Sequence, residues 1–197
     1  MSGKDFDTRA ALVRSGRQEF LEHGFRDASL RAICKRSNVT TGAFYVHFKN
    51  KEALFASIVE ADLGDYLDLY DGMLARLTAK VQQANDNEVA IMEYLMDHRD
   101  LFRLLFDCSE GTRYEGFKER LIHKFEDSYQ AFFEAYACVP VDHEVTKTLV
   151  QMKFAQYCSM LFGDYSKEQA LQITGRLQTF TRAGLAALLH TDFGSPG

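Results

Sequence analysis

SLRAICKRSNVTTGAFYVHFKNKEALF, residues 29–55, decides how the chain is organised. Ser29 is placed to cap a short helix, Leu30 to Arg36, with Leu30, Ile33 and Cys34 turned inward. Ser37-Asn38-Val39 follows, and asparagine tolerates the left-handed backbone that a tight turn between helices demands. Thr40 then caps a third helix running through Phe48, and Asn50 a fourth that starts at Lys51. Between Gly42 and the lysines Lys49 and Lys51, four rings occupy five positions: Phe44, Tyr45, His47 and Phe48. A core would explain the rings and a solvated face would explain the lysines, but neither explains both. Helical spacing separates them. Phe44 and Phe48 share one face and turn to the first two helices, whereas Ala43, Tyr45 and His47 point elsewhere.

Outward from this stretch the pattern stays helical. A first helix is expected over residues 7–23, with Asp7 as N-cap, Leu12, Val13, Gly16 and Phe20 on one face, and Gly24 just past its end. Beyond the fourth helix, periodicity predicts helices at about 88–98, 100–108, 114–137, 143–163 and 167–190. No stretch reads as a strand and no internal repeat is found, so the expected class is all-α. Only two prolines, Pro140 and Pro196, interrupt 197 residues, which suits long helices and can bury a sizeable core.

Composition narrows the setting. No window approaches the roughly 18–20 apolar residues that span a bilayer, and MSGKDFDTRAALV is too polar for a signal peptide. A cytoplasmic protein with no membrane partner is expected. Cys34, Cys108, Cys138 and Cys158 are scattered, with no C-x-x-C and no histidine at zinc-ligand spacing, so they read as small apolar residues and no metal or cofactor is expected. The net charge of −5 hides a division: residues 1–51 hold ten Lys/Arg against five Asp/Glu, and the remainder thirteen against twenty-three. Only the first part would be drawn to phosphates.

Two short helices joined by a tight turn, the second ending in aromatics and lysines, are what a DNA-reading helix-turn-helix requires. Gly42 and Ala43 keep the leading edge of the third helix slim enough to approach bases. Thr40 and Thr41 offer hydroxyls to phosphates or base edges. Lys49 and Lys51 stand at the start of the fourth helix, whose dipole and free N–H groups also attract phosphate. Residues 9–58 closely resemble the N-terminal DNA-binding domain of the TetR family of transcriptional regulators. The family's helix-one ending appears as Phe20-Leu21-Glu22-His23-Gly24-Phe25, and its central motif as Gly42-Ala43-Phe44-Tyr45-Val46-His47-Phe48-Lys49-Asn50-Lys51-Glu52-Ala53-Leu54. The resemblance implies that Tyr45 and Lys51 grip phosphates and that Thr41, Gly42, Ala43 and His47 face the groove. It also implies that Arg31 reaches a base and that Ser29 caps its helix beside a phosphate. The chain departs from the family pattern at Asn38, where glycine is usual, and at Cys34, where a residue as small as alanine is usual.

The resemblance further implies a division at residue 51: a helix-turn-helix domain over 1–51 and a helical ligand-binding and dimerisation domain over 52–197. The residues allow this. Leu149, Met152, Gln156 and Met160 on one late helix, and Ile173, Leu177, Phe180 and Leu188 on the next, form stripes that want a partner, so a homodimer is expected. YLMDHRDLFRLLFDCSEGTRYEGF, residues 94–117, resembles one C-terminal subtype of the family. Tyr94, His98, Phe102, Phe106, Tyr114, Phe117, Phe125 and Tyr129 are the candidate walls of a pocket for a small-molecule effector, with His98, Arg99, Glu110 and Arg113 as candidates for orienting it. No nucleophile constellation, acid/base pair or phosphate-cradling loop accompanies them. The expected function is a homodimeric repressor of a near-palindromic double-stranded operator, released by an effector. The alternatives are a ligand-dependent activator and a non-specific architectural DNA binder, and no enzyme is expected.

Overall fold

A computed structural model describes residues 3–79, 87–137 and 140–189. The described residues form helices α1 (Gly3–Asp27), α2 (Leu30–Arg36), α3 (Thr41–His47), α4 (Lys51–Ala79), α5 (Asn87–Asp97), α6 (Arg99–Asp107), α7 (Phe117–Tyr136), α8 (His143–Phe162) and α9 (Lys167–Leu189). No strand occurs among the described residues.

The chain divides into two compact units, residues 1–65 with 100–118, and residues 66–99 with 119–197. The first unit therefore reaches past the division expected at residue 51. Leu54, Phe55, Ile58 and Val59 of α4 and Leu101, Phe102, Leu104 and Leu105 of α6 are all buried, so apolar faces of both helices complete the unit that α1–α3 begin. At its centre Phe20 and Phe25 meet Phe55 with ring centroids 5.2 and 5.5 Å away, and Tyr114 closes the group at 5.9 Å from Phe55. Gly16 lets α1 close on α4: a Cβ there would stand 2.7 Å from Leu54 Cδ2.

Most helix ends fall within a few residues of their expected places, and the exceptions have local causes. Asp7 lies inside α1 rather than capping it, because no proline or β-branched run between Gly3 and Asp7 halts the helix. Gly24 interrupts α1 with φ 71° and ψ 164°, a conformation that only glycine adopts cheaply. The chain then resumes for one turn, with Phe25 N–H donating to Cys108 O at 2.8 Å. α7 begins at Phe117 and not at Tyr114, because residues 109–116 form a turn of their own. There Thr112 Oγ1 donates to Ser109 O at 2.7 Å and accepts from Tyr114 N–H at 3.0 Å.

In the second unit α5 packs on α9 and α8. Met92, Met160 and Ala170 form one buried cluster, flanked by Met96, Tyr157, Leu171, Ile173 and Leu177. Phe132 and Phe133 of α7 form another, flanked by Tyr129, Leu149 and Leu185. Asp142 caps α8 by accepting from Glu144 N–H at 2.8 Å.

Candidate nucleic-acid interface

The turn between α2 and α3 is built as its residues require. Asn38 takes φ 54°, the left-handed conformation, and Val39 N–H returns to Cys34 O at 2.9 Å. Ser29 caps α2 by accepting from Ala32 N–H at 3.4 Å, and Thr40 caps α3 by accepting from Ala43 N–H at 3.1 Å. Both cap side chains are thus already engaged with their own helices, although each hydroxyl keeps its hydrogen for another acceptor.

A buried carboxylate locks α1 onto α2. Glu19, 2% exposed, accepts Ser29 N–H at 2.9 Å and lies 3.5 Å from the Arg36 guanidinium, which also bonds Glu22 at 2.8 Å. Hydrogen bonds from Arg36 and Gln18 hold the Glu22 carboxyl below its usual range. Glu19, Glu22 and His23 bring ligand-type atoms within 4.8 Å of one another, but Arg36 supplies the positive charge between the two carboxylates, so the group is an ion-pair network. Sequence reasoning missed Glu19 and Arg36, since nothing local marks a carboxylate whose partners arrive from the next helix.

α3 sorts its residues by face. Phe44 and Phe48 are buried with rings 5.7 Å apart, and Arg9 lies over the Phe48 ring at 5.2 Å. Arg31 on α2 is exposed, as are Thr41, Gly42, Tyr45 and Lys49, while Ala43 and His47 are half-buried flanks. Gly42 has only Thr40 Oγ1 near the place of a Cβ, at 3.9 Å, so its side stands open. Val46, not singled out from sequence, is 78% exposed beside Tyr45 at 56%. The signal was available: at 100° per residue Val46 lies opposite the midpoint of Phe44 and Phe48. A β-branched apolar side chain thus stands at the crest of a short helix, outside the core that the described residues form.

Lys51 is not a free surface cation. Its ammonium donates to Ala28 O at 2.9 Å and Arg26 O at 3.2 Å, and lies 4.6 Å from the Phe25 ring centroid. Burial pushes its pKa down, opposed by Asp27 and Glu19. An ammonium has three donors, so one remains to point outward. The same contacts fix the end of α1 and the start of α2 against the first turn of α4.

The pocket candidates separate between the compact units. Phe102, Phe106, Tyr114 and Phe117 belong to the first, where Phe102 and Tyr114 are buried, and Tyr94, His98, Phe125 and Tyr129 belong to the second. The polar candidates are each held within their own unit. His98 stacks on Tyr94 at 3.9 Å with Nδ1 2.9 Å from Tyr94 O, and Arg99 donates to Tyr165 O at 2.9 Å. Glu110 pairs with Arg26, and Arg113 with Glu60.

The dimer candidates also divide. Met152 and Phe180 are 60% and 72% exposed, an apolar surface on α8 and α9 that this chain leaves uncovered. Met160 is 4% exposed within the Met92 cluster, so it is corrected from a stripe residue to a member of the protomer's own core, whereas Ile173 and Leu177 pack against that cluster and stay half-buried. Leu149 packs on Phe132 and Phe133, and Gln156 Nε2 is buried with no partner among the described residues. The Leu188 side chain lies outside the described residues, as does Cys138. Cys34 and Cys108 are buried and Cys158 is half-buried, all as free thiols.

Residues 12–58 match the family model described as bacterial regulatory proteins, tetR family. The helix-turn-helix-type transcriptional regulator UidR of Escherichia coli strain K12 is 42% identical over 55 residues, which is 28% of either chain. The transcriptional repressor NemR of the same strain is 31% identical over 109 residues, 55% of this chain and 49% of NemR. The chain thus covers about a quarter to a half of the length of these curated relatives. A crystal structure of a transcriptional regulator from Aquifex aeolicus VF5 matches with a TM-score of 0.62 at 21% identity, over 88% of this chain and 99% of that one, a likeness of fold. No described helix is long and apolar enough to cross a membrane.

Proposed function

The chain belongs, through its N-terminal domain, to the TetR family of DNA-binding transcriptional regulators, and from that premise we propose that it is a cytoplasmic homodimeric repressor of a near-palindromic operator. A small molecule bound in its second unit releases it. The observation that carries this reading is the sorting of α3. Two buried phenylalanines anchor the helix, and Thr41, Gly42, Tyr45, Val46 and Lys49 form an exposed outward face. In this reading Arg31, Ala43 and His47 flank that face, Ser29 and Thr40 present capped helix starts to the backbone, and Lys51 turns its third donor to a phosphate.

Pairing of two chains through the exposed Met152 and Phe180 surface would set two copies of α3 one DNA turn apart, roughly 34–36 Å. The effector would act by binding more tightly to the protein whose reading heads are wrongly spaced, with α4, which contributes residues to both units, carrying the coupling. NemR, a repressor by name, supports the sign of regulation.

The test is fluorescence anisotropy with duplexes from the DNA flanking the gene, against scrambled duplexes over a salt series. A regulator prefers its site by a factor on the order of a thousand or more. Equal affinity for both duplexes would indicate an architectural binder and overturn the proposal.

A further inference from the structure

Arg14, Arg17, Gln18 and Leu21 recur on α1 at i, i+3, i+4 and i+7, so they share one face of that helix. Asp100 and Arg103 stand three apart on α6 and share a face there. Together with Glu22 they line a cleft of about 530 Å³, and every residue of its lining belongs to the first unit. That volume falls within the range of small-molecule sites, roughly 300–1,000 Å³.

Charge around this cleft is unevenly spent. Glu22 accepts from Arg36, which is not part of the lining, at 2.8 Å, and from Gln18 at 2.9 Å. Asp100 sits in the first turn of α6, where the positive end of the helix offsets its charge. Arg17 lies 3.6 Å from Asp62, too far for a hydrogen bond, so its donors stay unspent. Arg14 and Arg103 form neither an ion pair nor a hydrogen bond among the described residues. Three guanidiniums from two helices therefore border one volume with donors to give.

Water solvates a lone exposed guanidinium well, so no single one of these arginines points to a ligand. Their meeting around one concavity does. Each guanidinium offers a planar fork that matches two oxygens of a carboxylate or phosphate. A carboxylate, with two oxygens and one charge, satisfies one fork. A phosphate monoester carries three terminal oxygens and a charge of about −2, so it engages forks from both helices at once. The cleft is larger than a phosphoryl group, and half-buried Leu21 gives an organic part an apolar wall. We propose that the cleft between α1 and α6 binds a small phosphate ester, its phosphoryl group held by Arg14, Arg17 and Arg103. This site is independent of what α3 reads and of any ligand in the second unit.

Isothermal titration calorimetry of the full chain with phenyl phosphate, inorganic phosphate and benzoate at pH 8 tests this. Phenyl phosphate is expected to bind at least about tenfold more tightly than benzoate, with inorganic phosphate between them. Arg14→Gln and Arg103→Gln remove guanidiniums that support no internal bond, so both variants should fold, as circular dichroism melting checks. Each should weaken phenyl phosphate about tenfold. Arg176→Gln, at an exposed arginine of α9 in the second unit, should leave that affinity unchanged. The proposal is overturned by benzoate or inorganic phosphate binding as tightly as the ester, or by no saturable binding of the ester. Unchanged affinity in both cleft variants, or an equal loss in Arg176→Gln, overturns it too. Duplex DNA separates a small ester from a nucleic-acid backbone. The Arg14→Gln/Arg103→Gln double variant should keep the salt dependence of duplex binding, and a slope flattened by about two phosphates would assign these arginines to DNA instead.

Discussion

Val46 and Lys51 are close in sequence and show how little residue type says about role. An exposed valine is unremarkable in most helices, but Val46 stands 78% exposed at the crest of a helix whose opposite face is fully buried. Its branched methyls match a thymine methyl in a major groove. Val46→Ala is expected to cost about 1 kcal/mol, roughly fivefold, at one operator base pair while leaving other positions unchanged. Selection from a randomised operator library checks this, and a uniform loss at every position would place α3 on the wrong face. Lys51, read from sequence as a phosphate ligand, also binds two backbone carbonyls. Lys51→Met should therefore do two things. It should lower unfolding stability by about 1–3 kcal/mol in a urea titration, because carbonyls at the α1–α2 junction lose their donor. It should also flatten the salt dependence of DNA binding by about one phosphate. A stability loss with an unchanged salt slope would leave the residue a structural clamp only.

At the scale of elements, the turn between α2 and α3 sets how the reading helix is presented, and its geometry depends on one backbone dihedral. Asn38 sits at φ 54°. Asn38→Ala should cost about 1–2 kcal/mol, the penalty of a Cβ in the left-handed region, while Asn38→Gly should stay near neutral. Thermal melts of the two variants check the order, and equal melting temperatures would mean that the turn relaxes elsewhere. The starts of α2, α3 and α4 were legible because each is specified locally, by Ser29, Thr40 and Asn50 in front of periodic apolar residues. The start of α7 was not, because the turn at 109–116 is held by Ser109 and Thr112 hydroxyls whose bonds have no periodicity to read. The same holds for Glu19, whose partners come from α2.

At the scale of the whole molecule, two outcomes follow from what is left outside and what is kept inside. Phe180 is 72% exposed, and burying a phenylalanine is worth about 1.5–3 kcal/mol, so Phe180→Glu should shift a dimer toward monomer in light scattering and weaken operator binding with it. A variant that remains dimeric would move the interface off α9. Inside, burial raises the phenols of Tyr66, Tyr70, Tyr129 and Tyr157 above their ordinary value of 10.0. The native state keeps these protons to higher pH than the unfolded chain does. Their contribution to stability is therefore complete below pH 10 and is lost as pH rises above it. An alkaline titration followed by phenolate absorbance and circular dichroism should show part of the nine tyrosines ionising only as helix is lost. Ionisation of all nine before any helix loss would refute the burial. The all-α class, the helix order and the basic N-terminal module were determined by the sequence itself, because caps, spacing and charge act within a few residues of where they are written. What only the tertiary structure decided was the extent of the first unit, the withdrawal of Met160 into the protomer core, the two bonds of Lys51 and the pairing of Glu88 with Lys153. Each depends on which helix faces arrive together, and burial is a property of that meeting and not of any one segment.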